Sequence, residues 1–222
     1  MTGDLVSVII PTYNRPHYLE KAVVSVLNQS NKNIEVIVVD DGTPGVENKE
    51  ICEKLGVNYL KISNSGGPAK PRNEGFKIAK GIYIAWLDDD DLWLPSKIEK
   101  QILFLNSNPA FKWVHCLNGY INHKGIEQER SGKRDFSFDD VEGDLFLKSI
   151  NTVLIKNPTP LLKRELIVAA GLFNEKLRGS EDWEYWFRLA WFSPIGLVRE
   201  HLAFYRLGNN NKISSNDKNY AT

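Results

Sequence analysis

The sequence predicts an α/β fold: a mainly parallel, Rossmann-like sheet with helices on both faces and a smaller antiparallel excursion in the C-terminal half. Three observations predict it. Short, β-branched and almost wholly apolar runs recur through the first half of the chain, as strands covered on both faces do. Stretches whose apolar residues repeat at helical spacing alternate with them, and alternation of this kind implies a parallel sheet covered by helices. Acidic residues stand at the ends of two of the runs, and sheets of this type bind ligands outside the carboxyl ends of their strands.

The first strand is the run Leu5, Val6, Ser7, Val8, Ile9 and Ile10, expected to stop at Pro11. Leu19, Ala22, Val23, Val26 and Leu27 then fall on one helical stripe. Residues 34–39 form the second strand, followed by a weak helix over 47–55, a strand over 57–62, a helix over about 73–79 and a strand over 82–87. A helix after Pro95 carries Ile98, Ile102 and Leu105 on one side. Residues 118–144 are polar and broken by Gly119, Gly125, Gly132 and Gly143, which suits loops and an antiparallel excursion. The apolar pattern resumes at Leu161 and Leu162, and Trp183, Trp186, Phe187, Ala190 and Trp191 mark a last helix by their spacing. The expected organisation is one domain over 1–207, with a nucleotide-binding half at 1–95 and an acceptor-binding half at 96–207, then a polar tail at 208–222.

Composition excludes several classes. Twenty-eight basic and 28 acidic residues leave no net charge, so nothing suggests a nucleic-acid partner. Cys52 and Cys116 stand in unrelated contexts and support neither a disulfide framework nor a zinc site, which fits a reducing cytoplasm. No apolar run approaches the ~18 residues of a membrane span. Six tryptophans offer stacking surfaces for sugar or base rings as well as core filling.

The sharpest signal is four consecutive aspartates, Asp88, Asp89, Asp90 and Asp91, set between Trp86-Leu87 and Leu92-Trp93. Carboxylates packed this closely beside apolar residues repel one another, and a hard cation with oxygen ligands would keep them ionised. The run therefore reads as a metal-diphosphate site. At the first strand end, residues 11–16 lack the glycines of a dinucleotide-binding turn, which argues against a Rossmann dehydrogenase, and no phosphate-binding loop with a Gly-Lys pair is present. Asp40 and Asp41 end the second strand, where a carboxylate can accept from base N–H or ribose hydroxyl groups, although Asp41-Gly42 is also an ordinary turn pair. Residues 64–73 bring glycines, Lys70, Arg72 and a helix start, features suited to phosphate or base. Gly179-Ser180-Glu181-Asp182 opens a helix with Ser180 as N-cap; a carboxylate there either favours the helix dipole or acts as a general base.

Together, the runs at 6–15, 38–42, 72–75 and 81–91 with Glu181-Asp182 resemble family 2 glycosyltransferases of the GT-A fold, in order and spacing, from Leu5 to about Arg206. The resemblance implies an inverting transferase using a nucleotide-diphosphate sugar, with UDP the expected nucleotide, and a divalent cation, Mn2+ or Mg2+. It implies that Asp41 and Arg72 hold the base, with Pro11 and Tyr13 lining its pocket. Asp88, Asp89 and Asp90 overlay the Asp-x-Asp region, with Asp90 on the metal and Asp88 on ribose or metal; Asp182 matches the catalytic base. The chain lacks the Gln-x-x-Arg-Trp motif of processive synthases after Asp182, which implies transfer of one sugar at a time to a saccharide or lipid-linked saccharide acceptor. A lipid-linked acceptor would bring a cytoplasmic enzyme to the inner membrane face. A lone His201 near the last strand is expected to be structural. Two other classes compete: a silent sugar-nucleotide or carbohydrate-binding module, and a sugar nucleotidyltransferase, whose glycine-rich basic loop residues 11–16 do not supply.

Overall fold

The computed structural model describes residues 4–129, 137–149, 155–177 and 179–208. Its first half is the expected alternation: β1 (Val6–Thr12), α1 (Pro16–Leu27), β2 (Ile34–Asp40), α2 (Glu47–Leu55), β3 (Asn58–Lys61), α3 (Ala69–Ile78) and β4 (Tyr83–Trp86). β1 pairs in parallel with β2 and β4, and β2 in parallel with β3. Then follow β5 (Leu92–Trp93), α4 (Lys97–Ser107), β6 (Trp113–Ile121), β7 (Glu127–Gln128), α5 (Phe146–Ser149), β8 (Leu161–Lys163), α6 (Arg164–Ala170), α7 (Glu181–Phe192) and β9 (Ile195–Arg206). Among the described residues the strands form one sheet in the order β3-β2-β1-β4-β8-β6-β9-β5, with β7 alongside β6.

Strict alternation along each strand builds two cores. Val6, Val8, Ile10, Val36, Val38, Tyr83, Ala85 and Leu87 face α1, α2 and α4, contributing with Leu19, Val23, Cys52 and Ile98 to one cluster. Ile9, Ile37, Val39, Ile84 and Trp86 face the other way and pack with Ala69, Leu166, Ile167, Tyr185 and Trp186 of α3, α6 and α7. Period-two side-chain placement with apolar residues on both faces requires helices on both sides. Both cysteines are buried and free.

Four departures from the sequence reading have physical causes. β1 does not stop at Pro11 but runs through it to Thr12, in register with Val39 and Asp40 of β2. Pairing with β4 has already ended at Ile9 and Trp86, so the absent N–H has no ladder to break on that side. α3 starts at Ala69, four residues before the expected start, because Pro71 sits in the first turn where backbone N–H groups have no intrahelical partner. The polar stretch after Asn118 is not all loop: β6 extends to Ile121 and turns back through β7, while β6 and β9 pair in parallel along most of their length. Finally, the buried face of α7 is Tyr185, Trp186, Leu189 and Ala190, whereas Trp183 and Trp191 are exposed. Tryptophan content misplaced that stripe by one helical row. The antiparallel pairings are β7 on β6, β8 between β4 and β6, and β5 on β9. The middle of the expected antiparallel excursion, residues 130–136, and the expected tail from residue 209 lie outside the described residues.

Candidate active site

The carboxyl ends of β2, β1 and β4 lie side by side, and their side chains are tied together. Asp40 and Asp41, adjacent in sequence, do different work. Asp40 turns inward and accepts from the Thr43 N–H (2.7 Å), Asn48 Nδ2 (3.0 Å) and the Tyr59 hydroxyl (3.0 Å). Burial and this bond push the Tyr59 phenol above its usual value. Asp41 instead accepts from the backbone N–H (2.9 Å) and hydroxyl (2.8 Å) of Ser65, and Asn64 Nδ2 donates to its carbonyl. The loop before α3 is thereby docked on the end of β2, beside a cleft of about 190 Å³ lined in part by Gly66, Gly67 and Lys70. Pro11 is buried in β1, and Tyr13, just beyond it, is 48% exposed. Asn14 follows with φ of 55°, an uncommon conformation for a non-glycine residue, and the chain then turns into Arg15.

The four aspartates fan out to different groups, with Arg15 shared by Asp89 and Asp90. Asp88 is half-buried and accepts from Arg72 Nη2 (2.8 Å) and Asn157 Nδ2 (2.7 Å). Asp89 is buried, accepting from Thr12 Oγ1 (2.8 Å) and Arg15 Nη1 (3.1 Å). Asp90 lies 3.4 Å from the same Arg15 nitrogen. Asp91, fully buried, accepts from the Arg206 N–H (2.8 Å), while Arg206 Nε donates to the Asp90 carbonyl (2.6 Å). Burial and neighbouring Asp90 push the Asp89 carboxyl up to about 7, against the opposing pull of Arg15 and Thr12. Much of the repulsion in the run is thus relieved by protein groups, so repulsion alone does not demand a cation. Asp88, half-buried, and Asp90, buried, are hard oxygen donors in the turn after β4, a donor set that suits Mg2+ or Mn2+ when phosphate oxygens complete the shell. Among the described residues no three His, Cys, Asp or Glu side chains gather as a metal cage.

Opposite the aspartates, α7 begins at Glu181 after Ser180, which takes the expected N-cap position but holds φ of 56° and gives no side-chain capping bond. Glu181 is buried and accepts from Arg72 Nη1 at 2.7 Å. Burial would lower the Arg72 pKa, but Asp88 and Glu181 outweigh it and hold the guanidinium charged. Arg72 therefore lies between the aspartate turn and α7, with no bond to Asp41. Asp182 accepts from the Trp183 N–H at 2.8 Å, its one hydrogen bond among the described residues. Burial and the adjacent Glu181 raise its pKa above the usual carboxylate value, while Arg72 opposes the rise. His201 is exposed on β9, next to a shift in the β6–β9 register.

Sequence patterns did not single out Arg206, Thr12 or Asn157. A charged residue closing the run Leu202-Ala203-Phe204-Tyr205 was the one available signal for Arg206, whose guanidinium also lies 4.8 Å over the Tyr18 ring. Thr12 and Asn157 meet the aspartates only through long-range folding.

Residues 7–140 match the model of glycosyl transferase family 2. The chain belongs to that family. Among curated relatives, this family member is 36% identical over 208 residues to a glycosyltransferase of Rickettsia prowazekii, covering 92% of the chain and 64% of the relative. A Rickettsia typhi relative is 34% identical, with 90% of the chain and 63% of the relative covered, so the chain spans somewhat under two thirds of these proteins. Identity is 33% to TuaG of Bacillus subtilis, a candidate teichuronic acid biosynthesis glycosyltransferase, over 96% of the chain and 82% of the relative. Residues 1–349 of S. aureus TarS, in complex with UDP-GlcNAc, have a similar fold, with a TM-score of 0.77, 23% identity, and 96% and 61% of the two chains covered. The mannosyltransferase PcManGT of Pyrobaculum calidifontis, in complex with GDP-Man and Mn2+, gives a TM-score of 0.70 at 19% identity, over 94% and 58% of the chains. The fold of this family 2 member is accordingly that of the GT-A glycosyltransferases. Among its described residues no helix is long and apolar enough to cross a membrane.

Proposed function

We propose that this chain is an inverting glycosyltransferase that moves one sugar from a nucleotide-diphosphate sugar, UDP-linked, to a hydroxyl of a surface polysaccharide or glycolipid. One observation carries the reading: Arg72 bonds both Asp88 of the turn after β4 and Glu181 at the acidic start of α7, while Asp41, held by Ser65, ends β2 of the same sheet. In the proposed division of labour, residues 1–95 bind the donor and 96–207 the acceptor. Asp41 accepts from the base or ribose, with Pro11 and Tyr13 along its pocket and Arg72 and Asp89 holding the donor side in shape. Asp88 and Asp90 are the residues that would hold a divalent cation, Mn2+ or Mg2+, which when bound supplies positive charge to the leaving diphosphate.

Asp182 is the proposed general base. A hydroxyl attacking an anomeric carbon must lose its proton, and a carboxylate with a raised pKa and a free face accepts it more readily than one neutralised by an arginine. Glu181 is that neutralised neighbour, held by Arg72. Attack from the acceptor side as the nucleotide leaves on the other inverts the centre in one displacement. Lipid-linked acceptors would bring the protein to the inner face of a membrane, which a membrane pelleting assay tests.

The experiment that tests the reading is calorimetric titration of UDP, GDP, dTDP and CDP, each with manganese and again with chelator. Metal-dependent binding of UDP that is lost in Asp90→Ala is the expected result. Failure of every nucleotide to bind would replace the reading with a silent carbohydrate-binding module.

A further inference from the structure

Asn157 is 4% exposed, and its amide is used on one side only. Nδ2 donates to Asp88 Oδ1 at 2.7 Å, while Oδ1 is buried and meets no donor among the described residues. Exchanging the two amide atoms would set oxygen against carboxylate oxygen, so the orientation is fixed by chemistry. A buried acceptor left without a donor is costly unless something supplies one.

The backbone around Asn157 is held in place. Trp93 Nε1 donates to the Pro158 carbonyl (2.7 Å), Gln101 Nε2 to the Thr159 carbonyl (2.8 Å), and the Thr159 hydroxyl to the Lys156 carbonyl (2.7 Å). Because β8 runs antiparallel to β4, the segment entering β8 arrives at the carboxyl end of β4, where Asp88 follows. Sheet order fixes which part of a ligand it meets. Asp41 stands at the end of β2, the aspartate turn follows β4 two places along, and Asn157 enters β8 one place further. A nucleotide sugar laid across these ends with its base at Asp41 and its diphosphate near β4 brings its sugar to Asn157.

Resting on the glycosyltransferase reading, we propose that Asn157 is a donor-sugar residue: its Oδ1 accepts a hydroxyl or amide N–H of the transferred sugar while Asp88 fixes its orientation. The test is calorimetric titration of wild type and Asn157→Ala with UDP, UDP-glucose and UDP-N-acetylglucosamine in manganese. Asn157→Ser serves if the alanine variant melts early. The expected result is about a tenfold loss of affinity for a UDP-sugar with affinity for UDP unchanged. Equal losses for UDP and the UDP-sugars would make Asn157 a support for Asp88 alone, and no loss would remove it from the site; either overturns this inference and leaves the glycosyltransferase reading standing. Absence of all nucleotide binding in wild type would overturn that reading, and this inference with it.

Discussion

Arg72 holds Asp88 with one terminal nitrogen and Glu181 with the other, at 2.8 and 2.7 Å, linking the end of β4 to the start of α7, with Arg72 and Glu181 109 residues apart in sequence. The guanidinium is almost fully buried and also lies 5.2 Å over the Phe173 ring. A planar fork can serve two carboxylates at once, and a lysine ammonium on its flexible stem cannot do so with the same geometry. Arg72→Lys is expected to lower transfer at least about tenfold, read from initial rates. Arg72→Met would leave two carboxylates without their cation and cost about 3–5 kcal/mol of stability, read from urea unfolding. A variant with wild-type rate and stability would show the bridge to be incidental.

Asp182, beside Glu181 at the head of α7, is expected to make transfer depend on pH. Burial and the Glu181 charge raise the Asp182 pKa, and a base works only when unprotonated. Transfer should therefore fall on acidification through a pKa above the ordinary carboxylate value of about 4. The same shift has a stability consequence of definite sign. Between the ordinary value and the raised one the folded protein holds the proton longer than the unfolded chain, so Asp182 lowers stability as pH rises through that window. Asp182→Asn should lower kcat by about 10²–10⁴-fold, leave nucleotide affinity intact and be more stable than wild type at neutral pH. Retention of activity would take the base role away from this residue.

Gly42 ties nucleotide binding to a backbone constraint. It has φ of 85°, and a Cβ there would lie 2.7 Å from the Asn64 backbone nitrogen. Asn64 and Ser65 are the residues that hold Asp41. Gly42→Ala is thus strained in conformation and pushes on that loop, with an expected cost of about 1–3 kcal/mol and a weaker affinity for nucleotide. Thermal melting with and without UDP reads both effects. Unaltered UDP affinity would separate Asp41 from the nucleotide.

The half of the fold that positions the donor side was legible because its signals are local. Buried parallel strands need apolar runs, and 34–39 or 82–87 could hardly be anything else. β6 and β9 escaped because their stability comes from pairing with each other across some eighty residues, while Gly119, Gly196 and several polar side chains dilute the pattern. Gly196 is dictated by Phe104, whose ring a Cβ would meet at 2.1 Å, a contact that no local window contains. The site followed the same rule. Asp41, the aspartate run and Asp182 announce themselves as acids at element ends. Their partners Thr12, Arg206 and Asn157 become functional candidates only once folding sets them beside those acids, at separations of 69 to 116 residues.

Lys97 supplies a prediction at the support of the site. It is wholly buried, donates to Gln101 Oε1 at 2.8 Å and lies 4.0 Å over the Trp93 ring. Gln101 and Trp93 in turn hold the carbonyls of Thr159 and Pro158, next to Asn157. Burial pushes the Lys97 pKa from 10.5 down to about 8. Between those values the unfolded chain keeps a proton that the folded protein has released, so stability rises with pH across that window, by about 3 kcal/mol from this group. Lys97→Met removes the titration. The difference in unfolding free energy between wild type and variant should therefore shift in favour of wild type from pH 8 to 10.5, measured by urea unfolding at intervals across the range. A difference that stays flat would mean that Lys97 keeps its proton, held by the Trp93 face and Gln101 against the cost of burial.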